Sequence, residues 1–142
     1  MQDGDLALWE QPKIMLVLEE TLAIVTGRHV RPSMLSHKEW VPDDPDAWEW
    51  GELMIKTIQR YAQNNVPVVV VTFITQEVAD LAAEWFQRYD INVAGVEYYN
   101  LVRFQRSLMW RRNGVQRVVD ANPERLLHYG QMGQQVNFGA PF

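Results

Sequence analysis

The chain has 142 residues, 47% of them hydrophobic, with six tryptophans, no cysteine and a net charge of −5. That is enough chain for one domain with a substantial core and too little for two ordinary ones. The sequence excludes disulfides and thiolate metal sites and shows no apolar run of the ~20 residues that would cross a bilayer. Its charge speaks against a general electrostatic grip on nucleic acid.

Residues 1–12 are polar, carry no leader pattern and end at Pro12, which reads as a lead-in to a first strand. That strand is expected over residues 13–18, where Ile14, Met15, Leu16, Val17 and Leu18 form an uninterrupted apolar run. Such a run suits a strand buried on both faces, as in a parallel sheet. It stops at Glu19, Glu20 and Thr21. Ligands of open parallel sheets sit just beyond the carboxyl ends of the strands, so a site is expected here. Residues 26–45 have no clear period, contain Gly27, Pro32, Ser33 and Pro42, and read as a long loop or small cap-like insert.

Asp44-Pro45 predicts a helix start, a capping carboxylate followed by proline at the first helical position. Ala47, Trp50, Met54, Ile58 and Tyr61 recur at helical spacing and give that helix an apolar face, with Gly51 marking close packing. Val68, Val69, Val70, Val71 and Thr72 form a second buried strand, with Pro67 at its entrance. Thr75 then caps a helix whose stripe is Val78, Leu81, Ala82, Trp85, Phe86 and Tyr89. A third strand is expected within 91–96, followed by a helix through Leu101, Phe104 and Leu108 that ends near Asn113-Gly114. A fourth strand over 115–119 stops at Asp120, Asn122-Pro123 opens a short helix to about Tyr129, and 134–137 reads as a fifth strand. The apolar tail Phe138-Gly139-Ala140-Pro141-Phe142 is expected to dock on the body. Strands alternating with helices imply right-handed crossovers and a single α/β domain: a doubly wound, Rossmann-like parallel sheet of about five strands.

Leu16-Val17-Leu18-Glu19-Glu20-Thr21-Leu22-Ala23 resembles the first motif of the haloacid dehalogenase-like (HAD) phosphatases, which reads apolar-Asp-x-Asp-Gly-Thr-Leu-Ala. With Thr21-Leu22-Ala23 fixing the alignment, the family's nucleophilic aspartate falls on Val17, its acid/base aspartate on Glu19 and its glycine on Glu20. Thr72 matches the second motif and Arg103, with Arg106 as the alternative, the third. Val118-Val119-Asp120-Ala121-Asn122-Pro123-Glu124 resembles the fourth, Val-Asp-Asp-Asn-Pro-Glu, with Ala121 replacing one aspartate. Gly27-Arg28-His29 and Asp43-Asp44-Pro45 further resemble the small HAD domains of phages and of polynucleotide 3′-phosphatases.

The resemblance implies a HAD-like fold and, for intact members, attack of the aspartate on phosphorus with Mg²⁺ as cofactor. There the metal is held by the nucleophile's carboxylate, the backbone carbonyl two residues on, and the acidic pair. In this chain Val17 can neither attack nor ligate, Ala121 removes a carboxylate, Glu19 is one methylene longer, and Glu20 replaces a glycine. These departures imply a pseudophosphatase that acts by binding a protein partner or a nucleotide-like ligand, in the cytoplasm (the host's, if phage-encoded). No cofactor is then expected, with Mg²⁺ open only through Asp120. The alternatives are a weak or altered phosphatase on nucleotides or nucleic-acid ends, and a virion or assembly component.

Each candidate also has a plainer reading. Glu19 and Asp120 are catalytic only if activity persists; otherwise Glu19, like Glu20, caps local backbone or faces solvent, and Asp120 caps the next turn. Thr72 and Arg103 would hold a phosphate, against a strand-end threonine bonding its own loop and a surface arginine. Arg28 and His29 would line a substrate or partner groove. Arg103, Arg106, Arg111, Arg112 and Arg117 lie close in sequence and read as a solvated helix face before a basic patch. The histidines show no metal-ligand spacing.

Overall fold

The computed structural model describes residues 11–25, 42–109 and 114–142. Strand β1 (Lys13–Val17) is buried along its whole length, as its unbroken apolar run requires. A short β2 (Ala23–Ile24) pairs antiparallel with β3 (Glu49–Trp50) outside the main sheet. Helix α1 (Glu52–Gln63) leads to β4 (Val68–Thr72), and α2 (Gln76–Arg88) leads to β5 (Gly95–Tyr98). Helix α3 (Leu101–Leu108) precedes β6 (Val115–Asp120), and the short α4 (Pro123–Leu126) precedes β7 (Gly133–Gln135).

The five main strands form a sheet in the order β5-β4-β1-β6-β7, every pairing parallel. β1 lies at the centre, with Leu16 opposite Val70 on one side and Val119 on the other. The chain winds outward one way through β4 and β5, then crosses back to add β6 and β7. The direction of winding thus reverses at β1, the position where such sheets open a crevice.

Alternation sorts the strand side chains into two cores. Ile14, Leu16, Val68, Val70 and Val119 pack with Met54 and Ile58 of α1 and with Val78, Ala82 and Phe86 of α2. Met15, Val17, Val69, Val71 and Val118 share the other core with Phe104 and Leu108 of α3 and with Tyr129. Helices on both faces of a parallel sheet make this the doubly wound α/β fold the sequence predicts.

The structure departs from the sequence-based reading between residues 44 and 52. Asp44 does cap, accepting from the Asp46 amide, but it opens only a 3-10 turn, Pro45–Ala47. The chain then extends through β3, and α1 begins at Glu52. Indole contacts select this path. The Trp48 indole donates to the Pro42 carbonyl and the Trp50 indole to the Pro45 carbonyl. Trp50 also stacks on Trp85 of α2 at 3.7 Å between centroids. The third and fifth strands are shifted within or beside their predicted windows, to 95–98 and 133–135. Thr75 caps α2 by accepting from the Val78 amide.

The tail docks as expected. Gly139 donates to the Thr21 carbonyl, the Tyr61 hydroxyl donates to the Phe142 carbonyl, and the Tyr61 and Phe142 rings stack. Gly51 sits so close to Gly139 that a Cβ on it would lie 2.5 Å from the Gly139 Cα. Of the predicted insert at 26–45, only 42–45 is described, so Arg28 and His29 lie outside the described residues.

Candidate functional site

The carboxyl ends of β1, β4 and β6 meet because β1 is flanked by the other two in parallel. After Val17 the chain closes a tight turn: the Leu22 and Ala23 amides both donate to the Leu18 carbonyl. Glu20 takes φ 64° there, the left-handed conformation that favours glycine. Its position matches the glycine of the resembled motif.

Asp120, ending β6, is fully buried and is the hub of the site. Its Oδ1 accepts from the Thr21 hydroxyl at 3.1 Å, the Asn122 amide at 3.0 Å and Arg125 Nη2 at 2.9 Å. Its Oδ2 accepts from Arg125 Nε at 2.9 Å and from the Tyr129 hydroxyl at 2.6 Å. The Arg125–Asp120 pair is therefore bidentate, the strongest geometry for such a contact. Arg125 Nη1 donates to Glu20 Oε1 at 3.0 Å, and Nη2 also donates to the Glu19 carbonyl at 3.1 Å. Local sequence puts the guanidinium there. Asn122 caps α4 through the Glu124 and Arg125 amides, and Pro123 starts it, which fixes Arg125 in the first turn above the strand end.

Burial opposes the charge on Arg125, but Asp120, Glu19 and Glu20 outweigh it and hold the guanidinium more firmly protonated than usual. Burial, reinforced by Asp120, pushes the Tyr129 phenol well up, so it stays a donor.

Glu19 lies on the opposite side of the turn and is also buried. Its Oε2 accepts from the Phe73 amide at 3.0 Å, while Oε1 meets no donor among the described residues. Burial pushes its carboxyl above the usual range, against the Arg125 charge, its own amide and that of Phe73, and the Thr72 hydroxyl. Burial thus works against the charged form of this carboxyl.

The structure brings Glu19, Thr72 and Asp120 to adjacent strand ends. Thr72 is fully buried and its hydroxyl accepts from the Ile74 amide at 3.2 Å. Arg103 and Arg106 are exposed on α3, and Phe104 is the residue of that turn that points inward. Arg117 does not join them in a patch: it donates to the Tyr61 hydroxyl and to Gln134 and lies over the Phe142 ring. Sequence reasoning missed Arg125, Thr21 and Tyr129. The available signal was the Asn122-Pro123 start, which places the third residue of the helix back over Asp120.

No protein-family model matches the chain, and no curated protein sequence is similar to it. Solved structures are. One is a chain of the Pnkp1/Rnl/Hen1 RNA repair complex, with TM-score 0.66 and 13% identity, covering 97% of this chain. This chain spans only 48% of that one. Another is the D,D-heptose 1,7-bisphosphate phosphatase of B. bronchiseptica complexed with magnesium and phosphate, with TM-score 0.56 and 14% identity, covering 87% of this chain and 77% of that one. The fold is HAD-like. At these identities the likeness speaks to the fold and not to the chemistry.

The strand ends do not fit Mg²⁺. That ion demands near-octahedral oxygen ligation. Val17 and Ala121 offer no side-chain oxygen, and both Asp120 oxygens and the Glu19 carbonyl are taken by Arg125 and its neighbours. Among the described residues no cluster of three His, Cys, Asp or Glu suits a metal ion. No helix among them is long and apolar enough to cross a membrane.

Proposed function

We propose that this chain is a catalytically degenerate HAD-like domain, of the small phage type its sequence resembles, that works by binding a protein partner. The observation that carries the reading is Val17. It is fully buried at the position matching the nucleophile, and its side chain belongs to the apolar core with Val71, Val118 and Phe104. The position that matches the nucleophile therefore offers none.

Charge favours a protein over a phosphate as the occupant. Asp120 and Glu20 surround the single guanidinium of Arg125, so an incoming anion meets net negative charge. The flank beside the site supports the same choice. Val102, Gln105 and Met109 share one stripe of α3 and its end, and Gln105 contacts His128 next to Leu127. Val102, Met109 and Leu127 are all exposed, Leu127 at 84%, and large apolar side chains left in solvent are available to a protein contact.

The test is a Mg²⁺-supplemented phosphatase assay on nucleotides and 3′-phosphorylated oligonucleotides, with calorimetric titration of phosphate and of the same nucleotides. The expected result is no turnover and no saturable phosphate binding. Mg²⁺-dependent turnover that Asp120→Asn abolishes would overturn the reading, and saturable nucleotide binding without turnover would move the ligand from protein to nucleotide.

A further inference from the structure

We infer that the Arg125 guanidinium is a tethered cation standing in for a bound divalent ion, so that the chain itself, and no metal, holds the carboxyl end of the sheet together. A single nitrogen, Nη2, reaches both Asp120 Oδ1 at 2.9 Å and the Glu19 carbonyl at 3.1 Å. These two oxygens belong to the two positions, on β6 and on the turn after β1, where the resemblance would put metal ligands. Nε and Nη1 take the remaining Asp120 oxygen and Glu20 Oε1. The guanidinium thus engages hard oxygens, two carboxylates and a carbonyl, of the kind that a divalent cation seeks.

The surroundings are built for the arginine. Its side chain is only 12% exposed. The Phe73 ring lies 6.0 Å from its guanidinium carbon, and the Tyr129 hydroxyl covers the Asp120 oxygen that Nε contacts. Planar donors at fixed angles hold Asp120 and Glu20 simultaneously, which an ammonium point charge does less well. A metal ion would have to expel the guanidinium from a place where its tether keeps its effective concentration high. The inference holds whichever partner the domain binds.

The test is thermal unfolding of the full chain and its Arg125→Ala variant with millimolar Mg²⁺, Ca²⁺ or Mn²⁺, or with methylguanidinium, each against NaCl of equal ionic strength. Wild type is expected to show no shift. Arg125→Ala is expected to melt lower and to regain about 2–4 °C with a divalent ion or methylguanidinium, the gain that occupancy at several times the dissociation constant gives a domain of this size. Adding Asp120→Asn should abolish that gain. A folded Arg125→Ala that responds to neither cation would overturn the inference. If Arg125→Ala does not fold, Mn²⁺ titration of wild type followed by water-proton relaxation still decides. Binding that Asp120→Asn removes refutes the tethered cation, and its absence upholds it.

Discussion

Replacing Arg125 by Met and Asp120 by Asn, singly and together, tests the centre of the site energetically. Asp120 is fully buried, and Arg125 supplies two of its hydrogen bonds and its counter-charge. Removing one partner of a buried pair costs about 3–5 kcal/mol, because the other is left uncompensated. Here the Thr21 and Tyr129 hydroxyls and the Asn122 amide still reach Asp120, which puts Arg125→Met at the lower end, about 3 kcal/mol. The contact to the partly exposed Glu20 adds at most about 0.5 kcal/mol. For a domain of this size that sum lowers Tm by about 10–15 °C. Asp120→Asn leaves the guanidinium buried against an amide and should cost a similar amount, about 3 kcal/mol. In the double variant neither charge remains to be stranded, so the loss falls short of the sum by about 2 kcal/mol. Urea unfolding followed by tryptophan fluorescence measures all four corners, since Trp48, Trp50 and Trp85 form one cluster in the core layer. Additivity within about 0.5 kcal/mol would refute the pairing in solution.

Two further outcomes follow from the same neighbourhood. An unfolded glutamate titrates near 4.3, whereas folding raises the Glu19 carboxyl through burial, against Arg125, the nearby amides and Thr72. Between those values the folded state holds more protons, so wild-type stability falls as pH rises through this window. Glu19→Gln lacks that slope, so its Tm relative to wild type should rise as pH increases above the unfolded value; parallel Tm-versus-pH curves would count against a raised Glu19 carboxyl. Gly51→Ala drives a methyl to within 2.5 Å of the Gly139 Cα and 3.2 Å of the Leu22 carbonyl. Backbone must move to accommodate it, at about 1–3 kcal/mol in urea unfolding. Hydrogen exchange at the Gly139 amide, now bonded to the Thr21 carbonyl, should accelerate with it.

The parts of this molecule that were legible in the sequence are those whose cause is local or periodic. β1 and β4 declare themselves by apolar runs that leave no polar face, and α2 and α4 by a side chain that caps its own first turn. The 3-10 turn and β3 did not, because Ala47 and Trp50 fit a helical period with Met54 and Ile58 as well as they fit the true structure. What decides between the two is Trp50 against Trp85, a contact across 35 positions that no window contains. Arg125 was hidden in the same way. Its partner Glu20 is 105 residues away, while the arginines that cluster in sequence, Arg103 and Arg106, face solvent.

Glu20 makes sense only together with Arg125. A side chain at φ 64° costs roughly 1–2 kcal/mol, and glycine would avoid that cost. At this position the carboxylate instead accepts from Arg125 and from the Asn122 side-chain amide, tying the turn after β1 to the cap of α4. The strained residue and the inserted cation are thus one arrangement: the turn presents an anion because a fixed guanidinium is there to receive it. The pairing also restricts what the crevice can do. Among the described residues, Asp120, Glu20 and Arg125 at the strand ends are already committed to one another, so an anionic ligand gains little by entering. On the proposed protein-binding role, recognition would fall to the surface around the crevice, where Val102, Met109 and Leu127 are exposed.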